Sequence, residues 1–174
     1  MRVLVVVDMQ KDFIDGALGS PEAQAIVPNV IEKIKSYQKG NDVVLYTADT
    51  HHEWDYDNTI EGKKLPIRHC MVHTEGWEIP EEIRMGSINV FRKEAFGSLF
   101  LPQYIVSNFI NRLDSVELVG LCTDICVISN AMILKAHLPS TPIMVDAKCC
   151  AGTSPESHER ALQAMEVCHI DVVR

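Results

Sequence analysis

Three side chains lie at or just beyond the ends of apolar segments: a carboxylate, an ammonium and a thiol. Together they could carry out covalent hydrolysis. Asp8 follows the apolar run 2–7, Lys93 follows the run 88–92, and Cys126 lies shortly after a further run. If these runs are parallel strands, their carboxyl ends meet in one crevice, so residues distant in sequence come together. Asp8 would then accept the proton of Cys126, and Lys93 would stabilise the negative charge that results.

This combination is suited to nucleophilic attack on a carbonyl carbon. The thiolate of Cys126 attacks, the protonated Asp8 gives its proton to the leaving nitrogen, and water then hydrolyses the thioester. Backbone N–H groups of residues 122–126 would form the oxyanion hole. Each residue alone also fits a structural role: a cap of the following loop for Asp8, a surface charge for Lys93, and core packing for Cys126. Their coincidence at three strand ends is what indicates catalysis.

A second group of residues has the composition of a metal site. Asp49 and His51 are separated by one residue at the end of the apolar run 42–48, so an extended chain there directs both side chains to one side. His69 could complete a three-ligand site with open positions for water or substrate. Imidazole and carboxylate ligands suit zinc, with iron or manganese as alternatives. For the other histidines we expect solvent exposure, at positions 52, 73, 137, 158 and 169.

The elements that must position these groups alternate between strand and helix patterns. Apolar runs predict strands at 2–7, 42–48, 88–92, 116–121, 142–146 and 170–173, and helical spacing predicts helices at 23–39, 104–113, 124–137 and 155–168. Such alternation is typical of a mostly parallel sheet with helices on both faces. We predict one domain over residues 1–174, a three-layer α/β/α, Rossmann-like fold with about six strands. The helix start near Cys126 would favour a thiolate through its macrodipole.

Composition narrows the function classes further. A net charge of −8 without a basic stripe argues against nucleic acid as a partner. No apolar run approaches the ~20 residues of a membrane span, and the first run ends at Asp8, too soon for a signal peptide. We therefore expect a cytoplasmic protein without a membrane partner. In that compartment the six cysteines are expected to be buried small residues with one reactive thiol among them, not disulfides.

Five segments of the sequence match known motifs in order and spacing. They are VVVDMQKDF at 5–13, TADTH at 47–51, PIRHCMVHTEGWEI at 66–79, VFRKEAFGSLF at 90–100 and GLCTDICVISNAMIL at 120–134. Together they resemble the isochorismatase-like cysteine hydrolase superfamily and, within it, the nicotinamidases. The first and last segments are the most specific signatures, and the resemblance extends over nearly the whole chain.

The resemblance implies roles by position. The catalytic residues would be Asp8, Lys93 and Cys126, and the metal ligands would be Asp49, His51 and His69. A cis peptide bond is implied between Leu121 and Cys122, with the amides of Cys122 and Cys126 as oxyanion donors. Phe13, Phe100 and Leu121 would contact the substrate, with Phe13 packing on its ring.

The chain also differs from the usual nicotinamidase pattern. Pro66 stands where nicotinamidases usually carry a Trp, three residues before the His of the His-Cys pair. Phe100 stands in place of a Tyr. In the loop after Asp-x-His, where some members have a further metal ligand, this chain offers Asp55 or Asp57. The resemblance thus implies intact catalytic machinery with an altered wall around the substrate ring.

Three functions are compatible with these residues. The first is hydrolysis of nicotinamide to nicotinate and ammonia in NAD salvage, with a divalent metal, zinc first, as the substrate anchor; the retained metal set favours it. The second applies the same machinery to another small amide, a carbamoyl compound or an isochorismate-like substrate; the absent Trp favours it. The third is a non-catalytic α/β protein that binds a small ligand in the same crevice. Relatives commonly form dimers or larger assemblies, so we expect a homo-oligomer.

Overall fold

A six-stranded sheet forms the middle layer of the protein in the computed structural model, which describes all 174 residues. Its strands are β1 (Arg2–Val7), β2 (Val43–Asp49), β3 (Val90–Lys93), β4 (Ser115–Leu121), β5 (Ile143–Ala151) and β6 (Asp171–Val173). They lie in the order β3-β2-β1-β4-β5-β6, and every neighbouring pair is parallel. The predicted α/β architecture is confirmed, and the sheet expected to be mostly parallel is entirely so.

Helices cover both faces of the sheet. They are α1 (Lys11–Ile14), α2 (Pro21–Gln38), α3 (Ile60–Lys64), α4 (Glu81–Arg84), α5 (Phe100–Phe109), α6 (Ile128–His137) and α7 (Pro155–Val167). Three short 3-10 turns lie at Tyr56–Asn58, Glu75–Trp77 and Ile110–Arg112. None of the helices combines the length and the apolar character that crossing a membrane requires.

The central strand β1 is buried on both faces, as its continuous apolar sequence predicts. Leu4 and Val6 pack into the hydrophobic cluster that contains the buried residues of α2. Val3, Val5 and Val7 point to the opposite face and pack into the cluster that contains α5, α6 and α7. Burying β1 in this way fixes the position of Asp8, the residue that follows it.

Two helix starts differ from the predicted ones. The α2 helix begins at Pro21, where Ser20 accepts a hydrogen bond from the Ala23 amide. The α5 helix begins at Phe100 instead of residue 104, and the Ser98 hydroxyl just before it accepts a hydrogen bond from the Leu101 amide (3.3 Å). The earlier start of α5 places Phe100 in the first turn of this helix.

The chain crosses from one side of β1 to the other, and that reversal defines the ligand crevice. The strand β2 pairs with one edge of β1, and β4 pairs with the other edge. In open parallel sheets, ligands bind outside the carboxyl ends of the strands at such a reversal. The carboxyl ends of β1, β2, β3 and β4 therefore surround one site.

Gly120 allows β4 to approach β1 closely at this site. Its φ is +119°, and a Cβ atom built there would lie 2.1 Å from the carbonyl oxygen of Val7. The two residues are register partners in the sheet. Only glycine accommodates both the backbone angle and the contact.

Gly120→Ala should lower the free energy of unfolding by roughly 3 kcal/mol, because it adds a backbone clash to an unfavourable φ. Gly86→Ala is the matched control: its φ is +72°, but nothing lies within 4 Å of the added Cβ, so a loss of about 1 kcal/mol is expected. Urea denaturation of both variants measures the difference. Equal losses would mean that the contact with Val7 relaxes without cost.

Candidate active site

The structure brings Asp8, Lys93 and Cys126 together, as predicted from the strand ends. The Lys93 Nζ atom lies 2.7 Å from Asp8 Oδ2 and 3.4 Å from Cys126 Sγ. It also lies 3.1 Å from Asp49 Oδ1. All four side chains are buried. A single ammonium group therefore contacts both the catalytic candidates and the metal candidates.

Asp8 is held by its backbone and by one neighbouring hydroxyl group. Its φ is +47°, a left-handed conformation at the exit of β1. The Thr47 hydroxyl donates a hydrogen bond to Asp8 Oδ1 (2.6 Å). The other oxygen, Oδ2, is paired with Lys93 by distance but accepts no hydrogen bond of good angle. That oxygen is free to accept a proton from the thiol.

Cys126 lies in a π-helical turn, Thr123–Val127, and not in the first turn of an α-helix. The predicted helix 124–137 is thus a π turn followed by α6. The carbonyl oxygen of Cys122 accepts hydrogen bonds from the amides of Ile125 and Val127, at 3.1 and 3.0 Å. The Leu121–Cys122 peptide bond is cis, as the resemblance implied.

The turn that carries Cys126 is tied to the loop between β5 and α7. Asp124 accepts hydrogen bonds from the backbone N–H of Thr153 (3.0 Å) and from its hydroxyl. The Thr123 hydroxyl lies 2.8 Å from His158 Nδ1. His158, expected to be exposed, is partly buried here, and burial lowers its pKa. These contacts hold the turn against the loop after β5 and the helix α7.

The charges around Cys126 favour the thiol in the resting site. Burial and the charge of Asp8 raise the pKa of Cys126 well above its usual value, and Lys93 opposes them. Burial also raises the pKa of Asp8. Burial alone would lower the pKa of Lys93, but the charges of Asp8, Cys126 and Asp49 raise it. The expected resting thiolate is therefore disfavoured, because the sulfur is buried and one ammonium group faces two carboxylates beside it.

A group of four side chains next to Lys93 can hold a metal ion. Asp49, His51, Glu61 and His69 each offer one ligand atom, and these atoms lie within 4.8 Å of one another. His51 Nε2 is 2.9 Å from Asp49 Oδ2, and His69 Nε2 is 3.5 Å from Glu61 Oε1. Two imidazole nitrogens and two carboxylate oxygens are a donor set that suits zinc, and also iron or manganese.

Neighbouring groups orient these ligand atoms. His69 Nδ1 lies 2.8 Å from the carbonyl oxygen of Ile67, which leaves Nε2 to face the group. The Gln10 side chain forms two hydrogen bonds with the backbone of Asp49. Its Oε1 accepts one from the Asp49 amide (2.7 Å), and its Nε2 donates one to the Asp49 carbonyl oxygen (2.8 Å). Burial would lower the pKa of His69, but hydrogen bonds to Asp49 and Glu61 raise it to about 10.

Glu61 is the member of the metal group that the sequence analysis missed. It lies in α3, within the segment 52–68, where helical phase decides which side chains face the crevice. The two acidic candidates, Asp55 and Asp57, are not members of the group. Asp57 instead forms an ion pair with Arg68 on the surface (2.6 Å). The available signal was the helix start at Thr59, whose hydroxyl accepts a hydrogen bond from the Gly62 amide (2.9 Å).

One cavity of about 820 Å³ joins the two groups. Cys126 and the four metal candidates line it, and so do two of the three expected substrate-contacting residues, Phe13 and Leu121. The Phe13 ring lies 5.5 Å from the His69 ring, between centroids. A ligand in this cavity can therefore contact the thiol and the metal group at the same time.

The third expected contact, Phe100, lies outside the cavity. It is the first residue of α5, its side chain is 72% exposed, and it does not line the cavity. Because α5 buries Leu101 and Ile105, Phe100 faces solvent. Phe96 lines the cavity instead. Leu65 also lines it, and its neighbour Pro66 stands at the position where nicotinamidases usually carry a Trp.

Comparisons with known proteins agree with this architecture. The family model described as "Isochorismatase domain" matches residues 2–174. In sequence, the chain is 25% identical over 185 residues to the nicotinamidase/pyrazinamidase of Mycobacterium tuberculosis (strain ATCC 25618 / H37Rv), covering 99% of this chain and 98% of that protein.

Two solved structures show the same likeness in three dimensions. The pyrazinamidase of Pyrococcus horikoshii in complex with zinc has a TM-score of 0.83 at 28% identity, covering 99% of this chain and 98% of that chain. The N-carbamoylsarcosine amidase of Thermoplasma acidophilum has a TM-score of 0.77 at 28% identity, covering 99% and 95%.

Asp8→Asn should speed the alkylation of Cys126 by iodoacetamide at neutral pH. The substitution removes a negative charge that raises the pKa of the thiol and leaves Lys93 to stabilise the thiolate. The rate should increase about threefold for each unit by which the pKa of Cys126 falls, because the larger thiolate fraction is partly offset by a weaker nucleophile. Mass spectrometry of labelled peptides measures the rates, with the exposed Cys168 as an internal reference. Unchanged or slower labelling of Cys126 would show that Asp8 does not keep the thiol protonated.

Glu61→Gln should weaken zinc retention roughly tenfold or more, because it removes one carboxylate of the metal group. Asp57→Asn is the matched control from the same segment, since that carboxylate pairs with Arg68 at the surface. Elemental analysis after dialysis against a chelator measures the zinc content of both variants. Equal retention in Glu61→Gln and the native chain would remove Glu61 from the ligand set.

Proposed function

Because the chain belongs to the isochorismatase family, we propose that it is a metal-dependent cysteine amidohydrolase that converts nicotinamide to nicotinate and ammonia. The family and its nicotinamidase-type relatives point to an amidohydrolase acting on small amides. The observation that carries the finer proposal is the single cavity that Cys126 shares with the metal group. Nicotinamide carries a ring nitrogen, which would face the metal group, and a carboxamide, which would face Cys126.

The acylation step uses Asp8 as the base. Asp8 Oδ2 takes the proton of Cys126 as the sulfur attacks the carboxamide carbon, and the carbonyl oxygen becomes negatively charged. The backbone amides of Cys122 and Cys126 are the proposed donors to that oxygen, because both residues line the cavity beside the sulfur. Asp8 then protonates the nitrogen, and ammonia leaves a thioester on Cys126.

The deacylation step uses the same groups in reverse. Asp8, again a carboxylate, takes a proton from a water molecule that attacks the thioester carbon. The acid is released, and the proton returns to the Cys126 sulfur. Throughout the cycle Lys93 keeps the carboxylate oriented and balances the charge that moves between Asp8 and the thiol.

The metal group would hold the substrate and would not supply the nucleophile. Asp49, His51, Glu61 and His69 fit a zinc-type ion in number, donor type and burial. When bound, such an ion supplies a Lewis-acidic anchor for the ring nitrogen of the substrate. Phe13 lies beside His69 and would pack on the ring. The product nicotinate would enter NAD salvage.

A carbamoyl compound is the second candidate substrate. The chain resembles the N-carbamoylsarcosine amidase as strongly in identity, 28%, as it resembles the pyrazinamidase from Pyrococcus horikoshii. The wall next to Pro66 is formed by Leu65, an aliphatic side chain, where nicotinamidases usually have an aromatic one nearby. A less aromatic wall favours a substrate without a flat ring.

Ammonia release from nicotinamide by metal-replete protein tests the proposal. Cys126→Ala should lower the rate by at least about a thousandfold, because no nucleophile remains. His51→Ala should raise KM for nicotinamide and lower the bound zinc. Release that depends on Cys126 with nicotinamide supports the proposal; release only with a carbamoyl substrate supports the second candidate.

Two further results would contradict the mechanism. Near-native rates in Cys126→Ala would exclude a thioester on this residue. Binding of nicotinamide by calorimetry without Cys126-dependent hydrolysis of either substrate would favour a non-catalytic binding protein in the same crevice.

A further inference from the structure

A second cleft, of about 370 Å³, lies beside the edge strand β3 and shares no lining residue with the first cavity. Two guanidinium groups line it, from Arg84 at the end of α4 and Arg92 in β3. Its volume is at the lower end of the range for small-molecule sites. The cleft therefore has the size and charge of a binding site for a small anion.

The Arg92 guanidinium lies over the ring of Trp77, which is itself held in place. Its guanidinium carbon is 4.6 Å from the centroid of the Trp77 ring. The indole N–H donates to the Thr50 hydroxyl (3.0 Å), and the Trp77 carbonyl accepts from Gln10 Nε2 (2.8 Å). Trp77 is thus held at both its ring and its backbone. Stacking on a fixed ring orients the Arg92 guanidinium before any ligand arrives.

Arg84 presents the second cation to the same cleft. Its Nε donates to the carbonyl oxygen of Ser87 (2.9 Å), which orients the guanidinium and leaves its two terminal nitrogens free. Neither Arg84 nor Arg92 has a carboxylate within 4.0 Å. The single carboxylate among the lining residues, Glu78, is not paired with either of them.

This lack of ion pairing is unusual for the arginines of this chain. Four of the other five arginines form ion pairs with carboxylates: Arg2 with Asp42, Arg68 with Asp57, Arg160 with Glu156, and Arg174 with Glu159 and Glu166. The net charge of the chain is −8, so carboxylates are plentiful. The two guanidinium groups in this cleft are therefore available to an external anion.

We propose that this cleft binds a small phosphate monoester, independently of the amide hydrolysis proposed above. Guanidinium groups match the oxygens of phosphate through paired, charge-assisted hydrogen bonds. Apolar side chains line the rest of the cleft and would contact the organic part of the ester; they are Ala48, Ile79, Ile88 and Val90. The ligand class is therefore a phosphate group that carries a small apolar substituent.

Calorimetric titration of phenyl phosphate into the zinc-loaded protein tests the site. Arg84→Gln and Arg92→Gln should each weaken binding about tenfold or more, the loss expected for one charge-assisted contact. Arg112→Gln is the matched control, since Arg112 also lacks an ion pair but lies over Phe109, outside the cleft. Glu78→Gln should tighten binding, because it removes a negative charge from the wall. Inorganic phosphate should bind more weakly than the ester.

Tryptophan fluorescence locates the ligand. In a Trp54→Phe background the remaining indole is Trp77, so saturable binding in the cleft should change its emission. Circular dichroism spectra and melting temperatures equal to those of the native chain would show that the arginine variants fold. The proposal is overturned if no saturable heat is seen at millimolar ester, or if Arg84→Gln, Arg92→Gln and Arg112→Gln bind equally. Loss of binding in His51→Ala with retention in both cleft variants would also overturn it, because the phosphate would then occupy the metal group.

Discussion

The ammonium group of Lys93 is the contact on which the rest of the site depends. It lies between Asp8, Asp49 and the sulfur of Cys126, at 2.7, 3.1 and 3.4 Å. Two carboxylates buried this closely require a compensating charge, and removing one partner of such a pair typically costs 3–5 kcal/mol. The nucleophile and the metal group are therefore not independent features. One buried cation sets the spacing between them.

Hydrogen bonds from neighbouring strands and loops hold Asp8, Asp49 and the turn of Cys126 around this cation. Thr47 orients Asp8, and Gln10 brackets the backbone of Asp49. Asp124 ties the turn that carries Cys126 to the loop after β5. Side chains fixed in this way lose little freedom when a substrate binds, which favours a preorganised site. Burial and the neighbouring carboxylates favour the thiol form of Cys126 in this arrangement.

Side chains supplied by strand ends were predictable, and side chains supplied by short helices were not. Asp8, Asp49 and Lys93 follow or end apolar runs, and a strand directs its last residues to a known edge of the sheet. Glu61 lies in the short helix α3, whose phase depends on its local cap, and Phe96 lies in the loop between β3 and α5, which has no regular pattern to read. The contact expected of Phe100 came from the resemblance alone, and the structure places this residue at the start of α5 with its side chain in solvent.

The sequence by itself determined the α/β class, the order of most strands and helices along the chain, and the candidate residues at the strand ends. Hydrophobic periodicity and strand-end position carry that information locally. Tertiary structure decided the strand order, the π turn under Cys126, the fourth metal candidate and the protonation of the thiol. Each of these depends on groups that are distant in sequence and become neighbours only when the sheet assembles, because burial and charge act through space and not along the chain.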